Sequence, residues 1–237
     1  MQRKIEVCLT PALINLYTIT ESIVVVIDIL RATSSIVYGI DNGAEAIIPV
    51  AQVEECLAYA GKGFLLAAER NGEVVAGYDF GNSPFSYTPD KVAGKTVVLT
   101  TTNGTKALHL ARKAHQVVIG SFLNLESLCS WLKTQDRDVL LLCAGWKDQF
   151  NLEDTIFAGA VVQQLRSSFA LSDDASVAAE DLYILAKDNL RAYVGKSSHS
   201  NRMVALKIEE DVQFCLQLNI CTAIPVLVGD SLVVLKK

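Results

Sequence analysis

The sequence has few of the residues that build metal clusters and disulfide frameworks. Its 237 residues include three histidines, and its six cysteines form no C-x-x-C pair. Most of these cysteines lie inside apolar segments, as buried reduced thiols do. Neither a disulfide framework nor a zinc site is therefore predicted.

An excess of positive charge is also absent. Lys and Arg number 21 against 26 for Asp and Glu, which gives a net charge of −5. No overall positive field would draw nucleic acid or an anionic membrane. Residues 1–20 lack the apolar core of a signal peptide, and the apolar runs are far shorter than the roughly 20 residues that span a bilayer. We expect a soluble, cytoplasmic protein without nucleic-acid or membrane partners.

Hydrophobic residues make up 51% of the chain, enough to bury a large core. The five aliphatic residues 23–27 are typical of a strand buried on both faces. Strand and helix patterns alternate through most of the chain, from an edge strand at residues 4–9 onward. A largely helical part, including residues 201–219, and a terminal hairpin follow. The pattern predicts an α/β fold, a three-layer α/β/α arrangement with a mixed, largely parallel sheet, as a single domain over residues 1–237.

Charged and hydroxyl side chains follow four of the predicted strands. The four loops carry the pairs Asp28/Arg31 and Glu69/Arg70, the turn Thr102–Thr105, and the pair Glu153/Asp154. If the strands are parallel, their carboxyl ends meet at one edge of the sheet, and the four loops lie together. This edge is therefore the predicted site.

The residue types in these loops suit a particular chemistry. Three or four carboxylates suit a hard cation with oxygen ligands, which favours Mg²⁺ over zinc. Two arginines, and a turn that presents backbone N–H groups at a helix start, suit a multiply charged anion. Each motif also has a structural use, because Asp and Glu in a first turn stabilise any helix by about 0.3–1 kcal/mol.

Several enzyme classes are disfavoured by spacing. The turn Thr102–Thr105 lacks the Walker A pattern. A haloacid-dehalogenase phosphatase needs a second aspartate shortly after the first, where this chain has Ile29 and Leu30. A cysteine phosphatase needs an arginine where Gln149 stands, so Cys143 is interpreted as a packing residue with a minor catalytic role left open. The glycines at 61 and 63 precede a strand, which argues against a dinucleotide site.

Five motifs in order resemble the 2-phosphosulfolactate phosphatase (ComB) family. They are VVIDILRATS at 25–34, AER at 68–70, DFGNSP at 79–84, TTNGT at 101–105 and CAGW at 143–146, the last followed by LEDT at 152–155. The resemblance extends from about residue 22 to Arg202. It implies a Mg²⁺-dependent phosphoric monoester hydrolase that converts 2-phosphosulfolactate to sulfolactate and phosphate in the biosynthesis of coenzyme M.

The resemblance and the residue types together assign roles. Asp28, Glu69 and Asp154 are the predicted Mg²⁺ ligands and, with Arg31, the predicted catalytic residues. The predicted substrate-binding residues are Arg31, Arg70, Asn82, Ser83, Thr102, Asn103, Gly104, Thr105, His199 and Arg202. Arg31 and the turn would hold the phosphoryl group, and Arg70, with His199 and Arg202, would meet the carboxylate and sulfonate of the substrate. The general base and the roles of Asp79, Glu153 and Cys143 stay open.

Two alternatives use the same residues. One is a related Mg²⁺-dependent hydrolase of another small anionic phosphate ester. The other is a non-catalytic anion-binding protein, which the clustered carboxylates argue against, since anion binding alone gives no reason to gather negative charge. Exposed apolar helices would favour a homodimer.

Overall fold

The computed structural model describes residues 2–70, 73–101, 103–199, 206 and 208–236. In these residues, a sheet of 11 strands lies between two layers of helices. The strands are β1 (Lys4–Cys8), β2 (Ile23–Ile27), β3 (Ala46–Pro49), β4 (Leu65–Arg70), β5 (Glu73–Val74), β6 (Thr96–Thr100), β7 (Gln116–Gly120), β8 (Val139–Cys143), β9 (Ala170–Leu171), β10 (Pro225–Val228) and β11 (Ser231–Val234). The helices are α1 (Ala32–Asp41), α2 (Val53–Leu57), α3 (Pro89–Val92), α4 (Gly104–Ala111), α5 (Leu125–Thr134), α6 (Leu152–Leu165), α7 (Asp174–Ala186), α8 (Leu190–Val194) and α9 (Glu209–Cys215).

The sheet consists of two parallel blocks joined by a hairpin. Its order is β5-β4-β6-β3-β11-β10-β7-β2-β8-β1-β9. Strands β4, β6 and β3 are parallel to one another, as are β7, β2, β8, β1 and β9. The hairpin β10–β11 is antiparallel to β7 on one side and to β3 on the other. The predicted mixed, largely parallel sheet is confirmed.

The two blocks run in opposite directions, because three antiparallel pairings separate β3 from β7. The expectation that all four loops follow strands of one direction is therefore wrong. Sheet twist offsets the reversal. A twist of about 20–25° per strand pair, accumulated over the six steps from β4 to β2, amounts to roughly 120–150°. The carboxyl ends of β4 and β2 thus point within about 30–60° of each other. Glu69 near the end of β4 bonds Arg31 in the loop after β2.

The core lies on both faces of the sheet. Ile23, Val25 and Ile27 of β2 pack in a cluster with α5, α6 and α7. Val24 and Val26 face the other cluster, which contains α1 and α4. All five residues of β2 are buried, as their β-branched run predicts, and the three-layer α/β/α arrangement is confirmed.

Some boundaries differ from the predicted ones. The predicted edge strand forms β1, but the two-residue strand β9 pairs along its outer side. Helix α6 begins at Leu152, so Glu153 and Asp154 lie in its first turn. Part of the predicted helix 201–219 is observed as α9, while residues 201–205 and 207 lie outside the described residues. Among the described helices, none has the length and apolarity needed to cross a membrane.

Candidate active site

The loop after β2 is closed by its own hydroxyl groups. The backbone N–H of Asp28 donates to Thr33 Oγ1 at 3.0 Å, and the N–H of Thr33 donates back to the Asp28 carbonyl at 2.9 Å. The hydroxyl of Ser34 donates to the carbonyl of Ile29 at 2.9 Å. The Leu30–Arg31 peptide bond is cis. The Thr and Ser residues of this motif therefore fix the loop that presents Asp28.

Asp154 ties this loop to the one after β8. Its carboxylate is fully buried and accepts the N–H of Ile29 at 2.9 Å and the N–H of Gly145 at 3.1 Å. Burial, the Asp28 carboxylate and then that of Glu153 raise the pKa of Asp154 well above its ordinary value. Burial likewise raises the pKa of Asp28 to about 6. The structure thus brings two of the predicted metal ligands together as interacting buried carboxylates.

Glu153, whose role the sequence left open, pairs with His199. The Nδ1 atom of His199 bonds Glu153 Oε1, and Glu153 is completely buried. Neither Oε2 of Glu153 nor Nε2 of His199 has a hydrogen-bond partner among the described residues. Charge on His199 lowers the pKa of Asp28, and charge on Glu153 raises it. We call Asp28, Glu153, Asp154 and His199 the Asp28 cluster.

A second cluster surrounds Arg31, whose side chain is 4% exposed. Its guanidinium donates to Glu69 Oε2 at 3.1 Å and to Asp211 in α9. Asp211 also accepts the hydroxyl of Ser83 at 3.0 Å. We call these four residues the Arg31 cluster. The sequence did not indicate Asp211, since an aspartate in the run Glu209–Asp211 looks like the solvated face of a helix.

The turn after β6 lies against Asp28. A Cβ atom added at Gly104 would be 2.9 Å from Asp28 Oδ2 and 2.9 Å from the Cβ of Ala32, so glycine permits this approach. The hydroxyl of Thr105 donates to the carbonyl of Thr101 at 2.7 Å. Asn103 accepts the N–H of Lys147 at 3.3 Å, facing the loop after β8. The start of α4 thus borders the Asp28 carboxylate.

Of the remaining predicted substrate-binding residues, two lie near the Arg31 cluster and two lie outside the described residues. Arg70 donates to the Glu69 carbonyl at 2.8 Å. The Asn82 carbonyl accepts the hydroxyl of Ser35 at 2.8 Å, and Asn82 Oδ1 has no partner among the described residues. Thr102 and Arg202 lie outside the described residues.

The three predicted metal ligands are not assembled as one cluster. Asp28 and Asp154 interact, while Glu69, whose charge also raises the pKa of Asp28, bonds Arg31. Within the described ranges, no group of three or more His, Cys, Asp or Glu side chains is placed to hold a metal ion. Cys143 is fully buried, and burial raises the pKa of its thiol well above the ordinary value, which disfavours a thiolate nucleophile.

A cavity of about 380 Å³ opens beside the Asp28 cluster. Its wall combines aromatic rings with polar groups from the loop after β8, the start of α6 and the segment after α8. The lining residues are Trp146, Gln149, Phe150, Asn151, Leu152, Glu153, Ser197, Ser198 and His199. A concave site with apolar walls and a few convergent polar groups is typical of small-molecule binding.

The sequence matches one family over nearly its whole length. The family profile described as 2-phosphosulpholactate phosphatase matches residues 8–230. A protein of Thermotoga petrophila, named probable 2-phosphosulfolactate phosphatase, is 43% identical over 206 residues, 86% of this chain and 88% of that protein. Proteins with the same name occur in Caldanaerobacter subterraneus, 39% identical over 90% of each chain, and in Synechocystis, 37% identical over 85% of this chain and 87% of that protein. The chain therefore belongs to the 2-phosphosulpholactate phosphatase family.

Proposed function

We propose that this protein is a phosphatase that hydrolyses 2-phosphosulfolactate to sulfolactate and phosphate, with Mg²⁺ as its cofactor. The observation that carries the proposal is the meeting of the α4 start with the Asp28 carboxylate at Gly104. This contact places an anion-binding element beside buried acidic side chains. The names of the relatives in the same family support the choice of substrate.

The start of α4 supplies the anion-binding half of the site. Backbone N–H groups at a helix N-terminus and the positive end of the helix dipole attract a phosphate. The Nε atom of Arg31 is a further donor, because it is buried and has no partner among the described residues. Since the other guanidinium nitrogens bond Glu69 and Asp211, Arg31 is already oriented before the substrate arrives.

The acidic half explains the need for a cation. A phosphate placed next to Asp28 and Asp154 would meet two buried carboxylates, and the repulsion would oppose binding. Mg²⁺ typically takes one or two carboxylates together with waters and substrate phosphate, so it needs no group of three protein ligands. The donor set therefore fits Mg²⁺, with Asp28 and Asp154 as the residues that would hold it and Glu69 as the predicted third ligand. Bound there, the cation would neutralise charge on the phosphoryl oxygens.

The protein's own residues then hold the ester. The α4 start and Arg31 would orient the phosphoryl group, and the cavity would exclude water from the rest of the substrate. Arg70 and the segment that holds His199 and Arg202 are proposed to meet the carboxylate and sulfonate. We also propose a cytoplasmic location, in line with the small charged substrate.

The test is phosphate release from 2-phosphosulfolactate and from a panel of small phosphate esters, with and without Mg²⁺. Wild type is compared with Asp28→Asn and with Asp230→Asn, a surface control whose side chain is 80% exposed. We expect Mg²⁺-dependent release from wild type and the control, and its loss in Asp28→Asn. If another ester is hydrolysed faster, the proposed substrate changes, but the proposed phosphatase activity stays. Absence of release from every ester would contradict the proposal.

A further inference from the structure

The pair formed by Glu153 and His199 lies on the wall of the cavity beside the Asp28 cluster. The two residues are 46 positions apart in the sequence and come from the first turn of α6 and from the segment after α8. Glu153 is fully buried, and the His199 side chain is 9% exposed. Helix α6 and helix α8, which precedes the His199 segment, are both anchored by apolar residues in the core.

Unpartnered polar atoms are concentrated on this wall. Six buried side-chain polar atoms lack a hydrogen-bond partner among the described residues, and three of them belong to residues that line the cavity. These three are Asn151 Oδ1, Glu153 Oε2 and His199 Nε2. An unsatisfied buried polar group is costly, so native structures rarely leave several together. A polar ligand bound against this wall would be close to these three atoms.

The pairing fixes which imidazole nitrogen faces that ligand. A carboxylate accepts hydrogen bonds and cannot donate, so Nδ1 of His199 carries the hydrogen that it shares with Glu153. Nε2 is then the ring nitrogen that has no partner among the described residues and could bond a ligand. The carboxylate behind the ring also holds the imidazole in one orientation.

The pair also adjoins the end of the site where phosphate chemistry is proposed. Glu153 precedes Asp154 in the first turn of α6, and Asp154 accepts the N–H of Ile29, the residue after Asp28. Asp28 in turn meets the start of α4 at Gly104. A substrate whose phosphate lies at α4 would extend its ester oxygen and alcohol part toward the cavity wall that carries Nε2.

We propose that His199, positioned by Glu153, donates the proton that the leaving alcohol needs. The inference rests on the proposed phosphatase function. As the oxygen of the attacking water bonds to phosphorus, the bond between phosphorus and the ester oxygen breaks, and that oxygen takes the proton from Nε2. The phosphate formed from water loses one proton to solvent, and His199 regains one, so each cycle consumes one water and no net proton. This role differs from the predicted one, in which His199 contacts the carboxylate or sulfonate.

The experiment compares esters whose leaving groups differ in acidity. Expelling an alcohol requires a proton, whereas para-nitrophenol is a far stronger acid and leaves without one. Wild type, His199→Asn and His199→Gln are assayed on 2-phosphosulfolactate and on para-nitrophenyl phosphate. We expect kcat for 2-phosphosulfolactate to fall by about 10²–10⁴-fold, the usual contribution of a general acid, with less than about 10-fold loss on the aryl ester. If wild type does not accept the aryl ester, phosphate esters of fluorinated alcohols replace it.

Two further variants define the outcome. Glu153→Gln is expected to show the same selective loss, reduced to about 10–100-fold, because it removes the charge behind the ring while His199 remains. His115→Asn, on an exposed residue, should behave as wild type. Equal losses on both esters in a folded His199 variant would overturn the proposal, as would a raised KM with unchanged kcat, which indicates a binding role. Wild type that releases no phosphate at all would instead reject the phosphatase function itself.

Discussion

Two clusters of buried charge lie beside the end of β2, and they differ in how their charges are matched. In the Arg31 cluster, one guanidinium lies between two carboxylates, and a serine hydroxyl bonds one of these carboxylates. Nearly all of its polar atoms have partners within the chain. The cluster ties together the loop after β2, strand β4 and helix α9.

The Asp28 cluster has the opposite character. It gathers three carboxylates against one histidine, and two of its buried atoms lack partners among the described residues. Burial and like charge raise the pKa values of Asp28 and Asp154. The charges of the Arg31 cluster are paired within the chain and hold three elements together, whereas the excess of carboxylates in the Asp28 cluster marks the place where a ligand belongs.

The largest expected effect is on turnover in the Asp28 cluster. Asp28→Asn should lower Mg²⁺-dependent phosphate release by about 10³-fold or more, because it removes a proposed metal ligand. Its melting temperature should stay equal to that of wild type or rise, since burial already disfavours the charged form of Asp28. Phosphate assays and thermal unfolding measure the two quantities. A destabilised variant with normal turnover would show that Asp28 serves the fold and not the reaction, contrary to the role proposed for the Asp28 cluster.

In the Arg31 cluster the larger effect should fall on stability. Arg31→Ala would leave Glu69 and Asp211 without their cation, and breaking a buried ion pair costs about 3–5 kcal/mol. Urea unfolding gives the change in the free energy of unfolding. Arg31→Lys is the matched control, because it keeps the charge but cannot bridge both carboxylates in the same way. Normal stability together with lost turnover would make Arg31 primarily a phosphoryl ligand, as the sequence predicts.

Gly104→Ala tests the contact between the α4 turn and Asp28. The added methyl group would lie 2.9 Å from the Asp28 carboxylate, so the turn must move. Overpacking of this kind costs about 1–3 kcal/mol. We expect KM for the phosphate ester to rise, and this loss of binding free energy should exceed the loss in the free energy of unfolding. Unchanged kinetics would show that phosphate does not bind at this turn.

The smallest effect is expected for Cys143→Ser. The thiol is fully buried at the end of β8 and its pKa is raised, so it is a packing group. Turnover should stay within about 10-fold of wild type, with a stability loss of about 1–2 kcal/mol for placing a hydroxyl in the core. A folded but inactive variant would restore a nucleophilic role for this cysteine.

Local sequence predicted the elements of the fold well. The run 23–27 predicted β2 because consecutive β-branched residues are typical of a strand buried on both faces. The direction of one block relative to the other was not predictable. It depends on where the hairpin β10–β11 inserts, and that choice is made by strand pairing between residues far apart in the sequence.

The site was predicted in part for the same reason. Asp28 and Asp154 follow neighbouring strands of one block, so sequence pattern was enough to bring them together. The bond between Arg31 and Asp211 spans 180 positions, and nothing in an acidic helix indicates it. The pairing of Glu153 with His199 likewise depends on where the segment after α8 returns to the sheet.

The position of the hairpin has a consequence for synthesis on the ribosome. Strands β10 and β11 follow all the other described strands in the sequence, yet they occupy the middle of the sheet. Each block can form while the chain emerges, but the sheet cannot become continuous until these late strands are released. Such distant pairings slow folding. In a nascent chain, the inner edges of β3 and β7 therefore remain open to solvent and to chaperones until translation reaches the hairpin.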